Sequence, residues 1–161
     1  MSQPHPNGGL ALAALLEGKA DLATVGGPAI ALGALKHDRF LILATLFESP
    51  TVIQMIARRD RGIDKPSDLA GKKLGTVFGS VSEFLQDTIL DRYDVDPQSI
   101  VRINLTQAQT VDALLAGAVD AVTIWPPFSN EMRNRLGNAA VVFGTDACLK
   151  LFREKNHAIP A

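Results

Sequence analysis

The residues best suited to bind a small molecule lie in one turn, Phe78-Gly79-Ser80-Val81-Ser82-Glu83, between a predicted strand and the start of a predicted helix. A helix N-terminus presents backbone N–H groups and about half a positive charge, so it suits a sulfonate, nitrate or carboxylate group. Gly79 lets the backbone approach a ligand closely, and Ser80 or Ser82 can donate a hydroxyl group. The alternative is structural, because Ser80-x-x-Glu83 also has the pattern of a capping box.

Two other turns follow short apolar segments, Gly26-Gly27-Pro28 and Trp125-Pro126-Pro127. In open α/β sheets, ligands bind outside the carboxyl ends of the strands, where both turns are predicted to lie. Trp125 is the only tryptophan, and its ring and indole N–H could both contact a ligand. The alternatives are that the turns are merely tight connections and that Trp125 fills the core.

Weaker binding candidates are Gln107 and Ser49. Gln107 lies in Thr106-Gln107-Ala108-Gln109, which has the same capping-box form and the same two interpretations as the turn at Ser80. Ser49 lies in Glu48-Ser49-Pro50-Thr51, after a predicted strand, and would form part of the rim of a site. Glu48 would repel an anion, so we expect it to be solvated or paired.

No pattern of catalytic or metal-binding residues is present. The three histidines, His5, His37 and His157, share no metal-ligand spacing. Gly71-Lys72-Lys73 lacks the other residues of a phosphate-binding loop, and neither a Gly-x-Ser-x-Gly elbow nor a Gly-x-Gly-x-x-Gly turn occurs. We therefore expect no catalytic residues, no metal and no cofactor.

The composition favours a globular protein with a core of its own. The chain has 161 residues, of which 47% are hydrophobic, and a net charge of −1, which argues against nucleic acid as a partner. The basic run Arg58-Arg59-Asp60-Arg61 is interrupted by an acid and predicts a solvated loop. The single Cys148 excludes an internal disulfide, and no apolar run reaches the roughly 20 residues of a membrane span. Residues 1–9 lack the regions of a secretory signal, so the sequence as written predicts a cytoplasmic chain.

Helices and strands alternate along the predicted secondary structure. Several strands are continuously apolar, as is typical of strands buried on both faces of a parallel sheet. The pattern therefore predicts an α/β fold with mostly parallel strands. The predicted strands are Leu22–Val25, Phe40–Phe47, Thr51–Ala57, Lys73–Phe78, Ile100–Leu105, Ala121–Ile124 and Ala139–Phe143, and the predicted helices are Leu10–Glu17, Pro28–Lys36, Val81–Tyr93, Thr110–Ala116 and one that begins at Pro127.

The chain contains an internal repeat. Residues Ala14–Pro28 align with Ala113–Pro127 at a constant offset of 99, and seven of the fifteen pairs are identical. In both copies a helix stops at glycine, and an aspartate precedes an apolar segment that ends in a turn. A period this long predicts two similar α/β lobes with a cleft between them rather than a solenoid.

Three segments resemble the nitrate/sulfonate/taurine-type periplasmic binding proteins of ABC importers. The first is Ala14-Leu15-Leu16-Glu17-Gly18-Lys19-Ala20-Asp21-Leu22-Ala23, and the second runs from Ile56-Ala57-Arg58 to Asp68-Leu69-Ala70-Gly71-Lys72-Lys73-Leu74-Gly75. The third runs from Ala113-Leu114-Leu115-Ala116-Gly117 to Trp125-Pro126-Pro127. They occur in the family's order over roughly residues 8–146.

The resemblance implies a type II periplasmic-binding-protein fold. It implies a first lobe over residues 1–56, a hinge over 57–66, a second lobe over 67–146 and a return segment or tail over 147–161. It also implies a small anionic ligand, a membrane permease as partner and a periplasmic location. The family's signal peptide and first βα unit have no counterpart here, so we expect a truncated member whose exposed sheet edge invites homo-oligomers.

The resemblance leaves the ligand open among nitrate, sulfonates, taurine, bicarbonate and pyrimidines. Two other functions also stay open. One is a cytoplasmic ligand-sensing domain, which the lack of a signal peptide favours. The other is an enzyme like the related thiamin-pyrimidine synthases, although the cysteine-rich iron motif of those enzymes is missing.

Overall fold

A computed structural model of the chain describes residues 3–36, 39–46, 49 and 52–144. Its internal contacts divide the chain into two compact units. Unit 1 comprises Met1–Glu48 with Gly79–Val81, and unit 2 comprises Ser49–Phe78 with Ser82–Ala161. The return segment predicted over residues 147–161 lies outside the described residues, as do Cys148 and His157.

Two helices make up the regular structure of the described part of unit 1. Helix α1 spans Gly8–Leu16. Its N-cap residue is Asn7, whose side-chain Oδ1 accepts a hydrogen bond from the Leu10 N–H at 3.0 Å. Helix α2 spans Gly27–Leu35, with Pro28 in its first turn, where the missing proline N–H costs nothing. The two helices pack where the Leu12 side chain lies against Gly33, and a Cβ atom at Gly33 would lie 3.0 Å from Leu12 Cδ2 and require that side chain to shift.

The strands predicted over Leu22–Val25 and Phe40–Phe47 are wrong for the residues that the structure describes. Neither 22–25 nor 40–46 forms a strand, and Phe47 lies outside the described residues. A strand exists only by pairing its backbone, and no described residue pairs with either segment. Their apolar side chains are accordingly exposed, for example 86% at Leu41 and 72% at Leu22.

Unit 2 contains a sheet of five strands in the order β3-β2-β4-β1-β5. Strand β2 is parallel to β3 and β4, whereas β1 is antiparallel to both of its neighbours, β4 and β5. Four strands therefore run in one direction with β1 reversed between them, and the predicted α/β class with mostly parallel strands is confirmed. The strands are β1 (Gln54–Arg58), β2 (Lys73–Thr76), β3 (Val101–Asn104), β4 (Ala121–Ile124) and β5 (Ala140–Gly144).

Helices cover both faces of this sheet. Helix α3 (Val81–Arg92) contributes Leu85, Ile89 and Leu90 to a buried cluster on one face, and helices α4 (Gln107–Leu115) and α5 (Phe128–Leu136) cover the other face. Strand β4 is buried along its whole length, and three of its four residues, Ala121, Val122 and Ile124, are apolar. None of the helices in the described ranges is long and apolar enough to cross a bilayer.

Arg58 fixes one edge of the sheet to the end of α4. Its Nη1 donates to the carbonyl oxygens of Leu114 and Leu115 at 2.9 and 3.0 Å, and its Nη2 lies 2.6 Å from Asp60 Oδ2. The hydrogen bond with Asp60 raises the pKa of Arg58 and lowers that of Asp60. The basic run that predicted a solvated loop therefore contains one cation with a structural role, because the last carbonyls of a helix need donors.

Candidate functional site

In unit 1, the start of α1 lies against two of the predicted ligand residues. A Cβ atom at Gly8 would lie 3.1 Å from the Gly26 N atom, and a Cβ atom at Gly9 would lie 2.9 Å from the Gly79 carbonyl oxygen. Only glycine permits such close backbone approaches. The structure thus brings Gly26 and Gly79 to the N-terminus of one helix, next to the start of a second.

Gly27 and Ser80 complete this first set of predicted residues. Gly27 is the first residue of α2, and Gly26 is its N-cap. A Cβ atom at either Gly26 or Gly27 would meet nothing within 4 Å, so the space in front of α2 is open. Ser80 is half-buried and belongs with Gly79 to unit 1. Helix starts of this kind leave N–H groups without intrahelical partners, and such groups bind anions.

Sequence reasoning missed Gly8 and Gly9. The segment was interpreted only as an N-terminus without a secretory signal, and α1 was predicted to begin at Leu10 rather than Gly8. The available signal was the run Asn7-Gly8-Gly9, in which an N-cap residue precedes two glycines and an apolar helix. The reason for the glycines is tertiary, since the residues they contact, Gly26 and Gly79, are 18 and 70 residues further along the chain.

In unit 2, the predicted residues Ser82, Gln107 and Trp125 follow β2, β3 and β4. Because these three strands are parallel, their carboxyl ends lie at one edge of the sheet. Helices α3, α4 and α5 all start at this edge, which therefore collects the positive ends of three helix dipoles.

The turns at this edge are held by hydrogen bonds that backbone N–H groups donate. The Phe78 N–H donates to Asn104 Oδ1 at 3.1 Å, and the Leu105 N–H donates to the Thr76 carbonyl at 2.9 Å. Thr106 caps α4, and its N–H donates to Gln109 Oε1 at 2.9 Å. The capping role of this pattern is thus confirmed, and Gln107 occupies the first helical position between the two capping residues.

The predicted side chains differ in exposure. Ser82 is fully buried, and its Oγ lies 3.0 Å from Thr76 Oγ1. Trp125 is half-buried and packs against the cluster under α4 and α5, so part of its ring fills the core. Gln107 is half-buried, and Ser49 is exposed in unit 2, while Glu48 beside it lies outside the described residues.

Buried polar atoms without a partner also gather at this edge. Among the described residues, none bonds to the hydroxyls of Thr123 or Ser129, to either amide atom of Gln86 or to Gln54 Oε1. Gln54 is opposite Ile124 in the antiparallel pair, which places it at the carboxyl end of β4. Since buried polar groups normally have partners, these atoms indicate that the edge is built for polar contacts.

Among the described residues of unit 2, the turns at this edge carry no cation. The turns that join β2, β3 and β4 to the following helices contain no lysine or arginine. Arg58 is the last residue of β1, and Arg59 and Arg61 follow it at the opposite edge of the sheet. Among the described residues, the turns at the carboxyl edge therefore offer an anion helix N-termini and neutral donors rather than cations.

A surface depression lies elsewhere, near the C-terminus of α3. It has a volume of about 600 Å³, and its walls carry Asp87, Asp91, Asp94 and Asp96 around Arg102. It is acidic and open, so it does not suit an anion. No cluster of three metal-binding side chains exists among the residues that the structure describes.

Comparison with known proteins decides the family. The family model described as NMT1/THI5 like matches residues 2–147. The chain belongs to this family. The match confirms the resemblance found in the three sequence segments, since it covers all of them.

Three proteins that are similar to this chain are named for binding taurine or sulfonates. The taurine-binding periplasmic protein of Escherichia coli (strain K12) is 24% identical over 122 residues, which are 74% of this chain and 37% of that protein. The periplasmic aliphatic sulphonate binding protein SsuA from Escherichia coli has a TM-score of 0.73 and 24% identity over 88% of this chain and 44% of its own. The alkanesulfonate-binding protein SsuA from Xanthomonas axonopodis pv. citri, bound to MOPS, has a TM-score of 0.74 and 23% identity over 88% of this chain and 48% of its own.

These similarities confirm the predicted periplasmic-binding-protein type of fold. The three proteins are named for binding, not for catalysis. The chain spans between 37% and 48% of the length of each of them.

Proposed function

We propose that this chain belongs to the solute-binding component of a bacterial ABC import system and binds a small sulfonate such as taurine or an alkanesulfonate. The observation that carries the proposal is the edge of the unit 2 sheet where α3, α4 and α5 all begin. An anion there gains from three helix N-termini and from neutral donors. The relatives named for taurine and sulfonate binding support this ligand class.

The proposed ligand contacts fall into two sets. The set in unit 2 is Ser49, Ser82, Gln107 and Trp125. The set in unit 1 is Gly26, Gly27, Gly79 and Ser80, around the start of α1. The backbone N–H group of Gly27 is the first of α2, so we expect it to donate to the anion rather than to the helix.

The setting of the function is also a proposal. By family relationship we place the protein in the periplasm, with a membrane permease as its partner, and we propose binding without catalysis. The hinge over residues 57–66, the two lobes and the cleft stay predictions. In a hinged binding protein, the ligand closes the lobes only through its higher affinity for the closed form.

A fluorescence titration tests the proposal, because Trp125 is the only tryptophan and lies at the proposed edge. Taurine or ethanesulfonate should change its emission saturably, and ethanol at equal concentration should not. A thermal melt gives an independent measure, since a ligand at 100 times its Kd stabilises the fold by about 2.7 kcal/mol.

Two variants and a control locate the site. Trp125→Ala and Ser80→Ala should each weaken sulfonate binding and leave the fold intact. Ser67→Ala is the matched control, because Ser67 is exposed in a 3₁₀ turn, Pro66–Leu69, and is not one of the proposed contacts. Affinity that is unchanged in both test variants would refute the proposed site, and an absence of any sulfonate binding would refute the function.

A further inference from the structure

Four neutral polar side chains are enclosed between α3 and the sheet of unit 2. Thr76 and Thr123 come from β2 and β4, and Ser82 and Gln86 come from α3. All four are completely buried. Thr76 and Ser82 pair with each other, their hydroxyl oxygens 3.0 Å apart.

The strand register places Thr123 next to this pair. Leu74 is opposite Ala121 and Gly75 is opposite Val122 in the parallel β2–β4 ladder, so Thr76 and Thr123 are the next neighbours along it. Side chains alternate between the faces of a sheet. Thr76 and Thr123 therefore share the face of Leu74 and Ala121, which is the face that α3 covers.

The helix geometry brings Gln86 to the same place. Gln86 follows Ser82 by four residues, so both lie on the inner face of α3. Helical side chains lean toward the helix N-terminus, and the Gln86 amide therefore extends toward the turn that carries Ser82. The amide and the Thr123 hydroxyl thus converge beside the Thr76–Ser82 pair.

Neither of these two groups has a partner among the described residues. Gln86 Nε2 and Oε1 and Thr123 Oγ1 are all buried without a hydrogen bond. The occupant that satisfies them must both donate and accept, because the amide offers both kinds of group. It must also be neutral and small, since the cluster contains no charge and is closed to solvent. Water meets these requirements, and buried water typically makes about three hydrogen bonds to such groups.

We propose that Gln86 and Thr123 bind one internal water molecule beside the Thr76–Ser82 pair. The water joins β4 to the first turns of α3 and makes Gln86 a positioning residue for the start of this helix. Only the consequence for ligand affinity depends on the function proposed above. The hydration site itself depends on the buried groups alone.

Whether two substitutions raise or lower the melting temperature tests whether the water molecule is bound. Gln86→Met and Thr123→Val keep the approximate size of each side chain and remove its hydrogen-bonding groups. If the water is bound, each variant breaks a bond and leaves a buried group unsatisfied, and the melting temperature should fall by about 2–6 °C. If no water is bound, each change replaces an unsatisfied polar group with an apolar one, and the melting temperature should rise. Gln98→Met, on an exposed turn, is the control and should shift the melting temperature by less than about 1 °C.

A direct measurement accompanies the melts. Cross-relaxation between the Gln86 side-chain amide protons and a long-lived water should appear in the unaltered chain and vanish in Thr123→Val. A rise in melting temperature in both variants, or no such water signal, would overturn the proposal. Both readouts are made without ligand, so failure of sulfonate binding leaves this test intact. If sulfonate does bind, Gln86→Met should weaken it by a few-fold, while Gln98→Met should not.

Discussion

Replacing Gly9 with alanine tests the close approach of α1 to the predicted ligand residues. The new Cβ atom would lie 2.9 Å from the Gly79 carbonyl oxygen and 3.3 Å from Asn7 Oδ1, which caps α1. Both neighbours are fixed, one by the backbone and one by its hydrogen bond to Leu10. Overpacking of this kind costs about 1–3 kcal/mol. The gain from replacing a helical glycine with alanine offsets at most about 1 kcal/mol.

The matched control is Gly27→Ala, because Gly27 also lies at a helix start and its Cβ position is open. We expect this control to be neutral or stabilising by up to about 1 kcal/mol. The two variants should therefore differ by about 2 kcal/mol, or about 4–8 °C in melting temperature for a chain of this size. Melting followed by circular dichroism measures the difference, and hydrogen exchange shows whether it arises in α1. A Gly9→Ala chain that melts at or above Gly27→Ala would refute the packing described for unit 1.

Three further predictions concern the stability of unit 2. Arg58→Ala removes the hydrogen bonds to the last carbonyls of α4 and should lower the free energy of unfolding by about 2 kcal/mol in a urea titration. The control Arg59→Ala, at an exposed residue, should change the free energy of unfolding by less than about 0.5 kcal/mol. Equal effects of the two variants would contradict the capping role of Arg58. Backbone N–H groups of residues 64 and 65 donate to Asp68 and lower its pKa from the ordinary 3.8, so its contribution to stability is present above pH 3.8 and is lost as the pH falls through the lowered pKa. An NMR titration should give a pKa below 3.8 for Asp68, and a value at or above it would show that these bonds do not form in solution. Gly75→Ala would place a Cβ atom 2.7 Å from the end of the half-buried Leu105 side chain, which can move aside, so it should cost no more than about 1 kcal/mol in the same urea titration, and a larger loss would show that Leu105 cannot move.

The α/β pattern of unit 2 was predictable because its elements carry local signals. The segment Ala121–Ile124, which is apolar except for Thr123, is a strand with the predicted bounds, and the helix predicted from Val81 begins there and ends one residue early. The predicted start of α4 at Thr110 was three residues late. The capping box of Thr106 and Gln109 sets the true start at Gln107, and this pattern was already visible in the sequence.

Local patterns could not predict that β1 runs in the reverse direction. They also could not predict that residues 22–25 and 40–46 form no strand. An apolar segment such as Gln54–Arg58 has the same sequence signal whether it pairs in parallel or antiparallel. Residues 40–46 have the composition of a strand, but only a partner strand can make them one. The composition of a segment indicates its propensity to form a strand, whereas pairing depends on whether another strand lies beside it.

The candidate site was predictable only in part for the same reason. Ser82, Gln107 and Trp125 were found because each follows a predicted strand, and parallel strands bring such positions to one edge. Gly8 and Gly9 were missed because their role is to leave room for backbone distant in sequence. The orphaned groups of Gln86 and Thr123 were missed because burial of a polar residue cannot be read from a single sequence.

The central claim is that a sulfonate binds at helix N-termini rather than at basic side chains. The most direct test is a two-dimensional NMR titration of the chain with ethanesulfonate, in which the backbone amide signals are followed. We predict saturable changes in chemical shift at the Trp125 indole N–H and at the backbone amides of Gly27, Gly79, Ser80 and Gln107. Shifts confined to Arg58–Arg61, or no saturable shift at any amide, would contradict it.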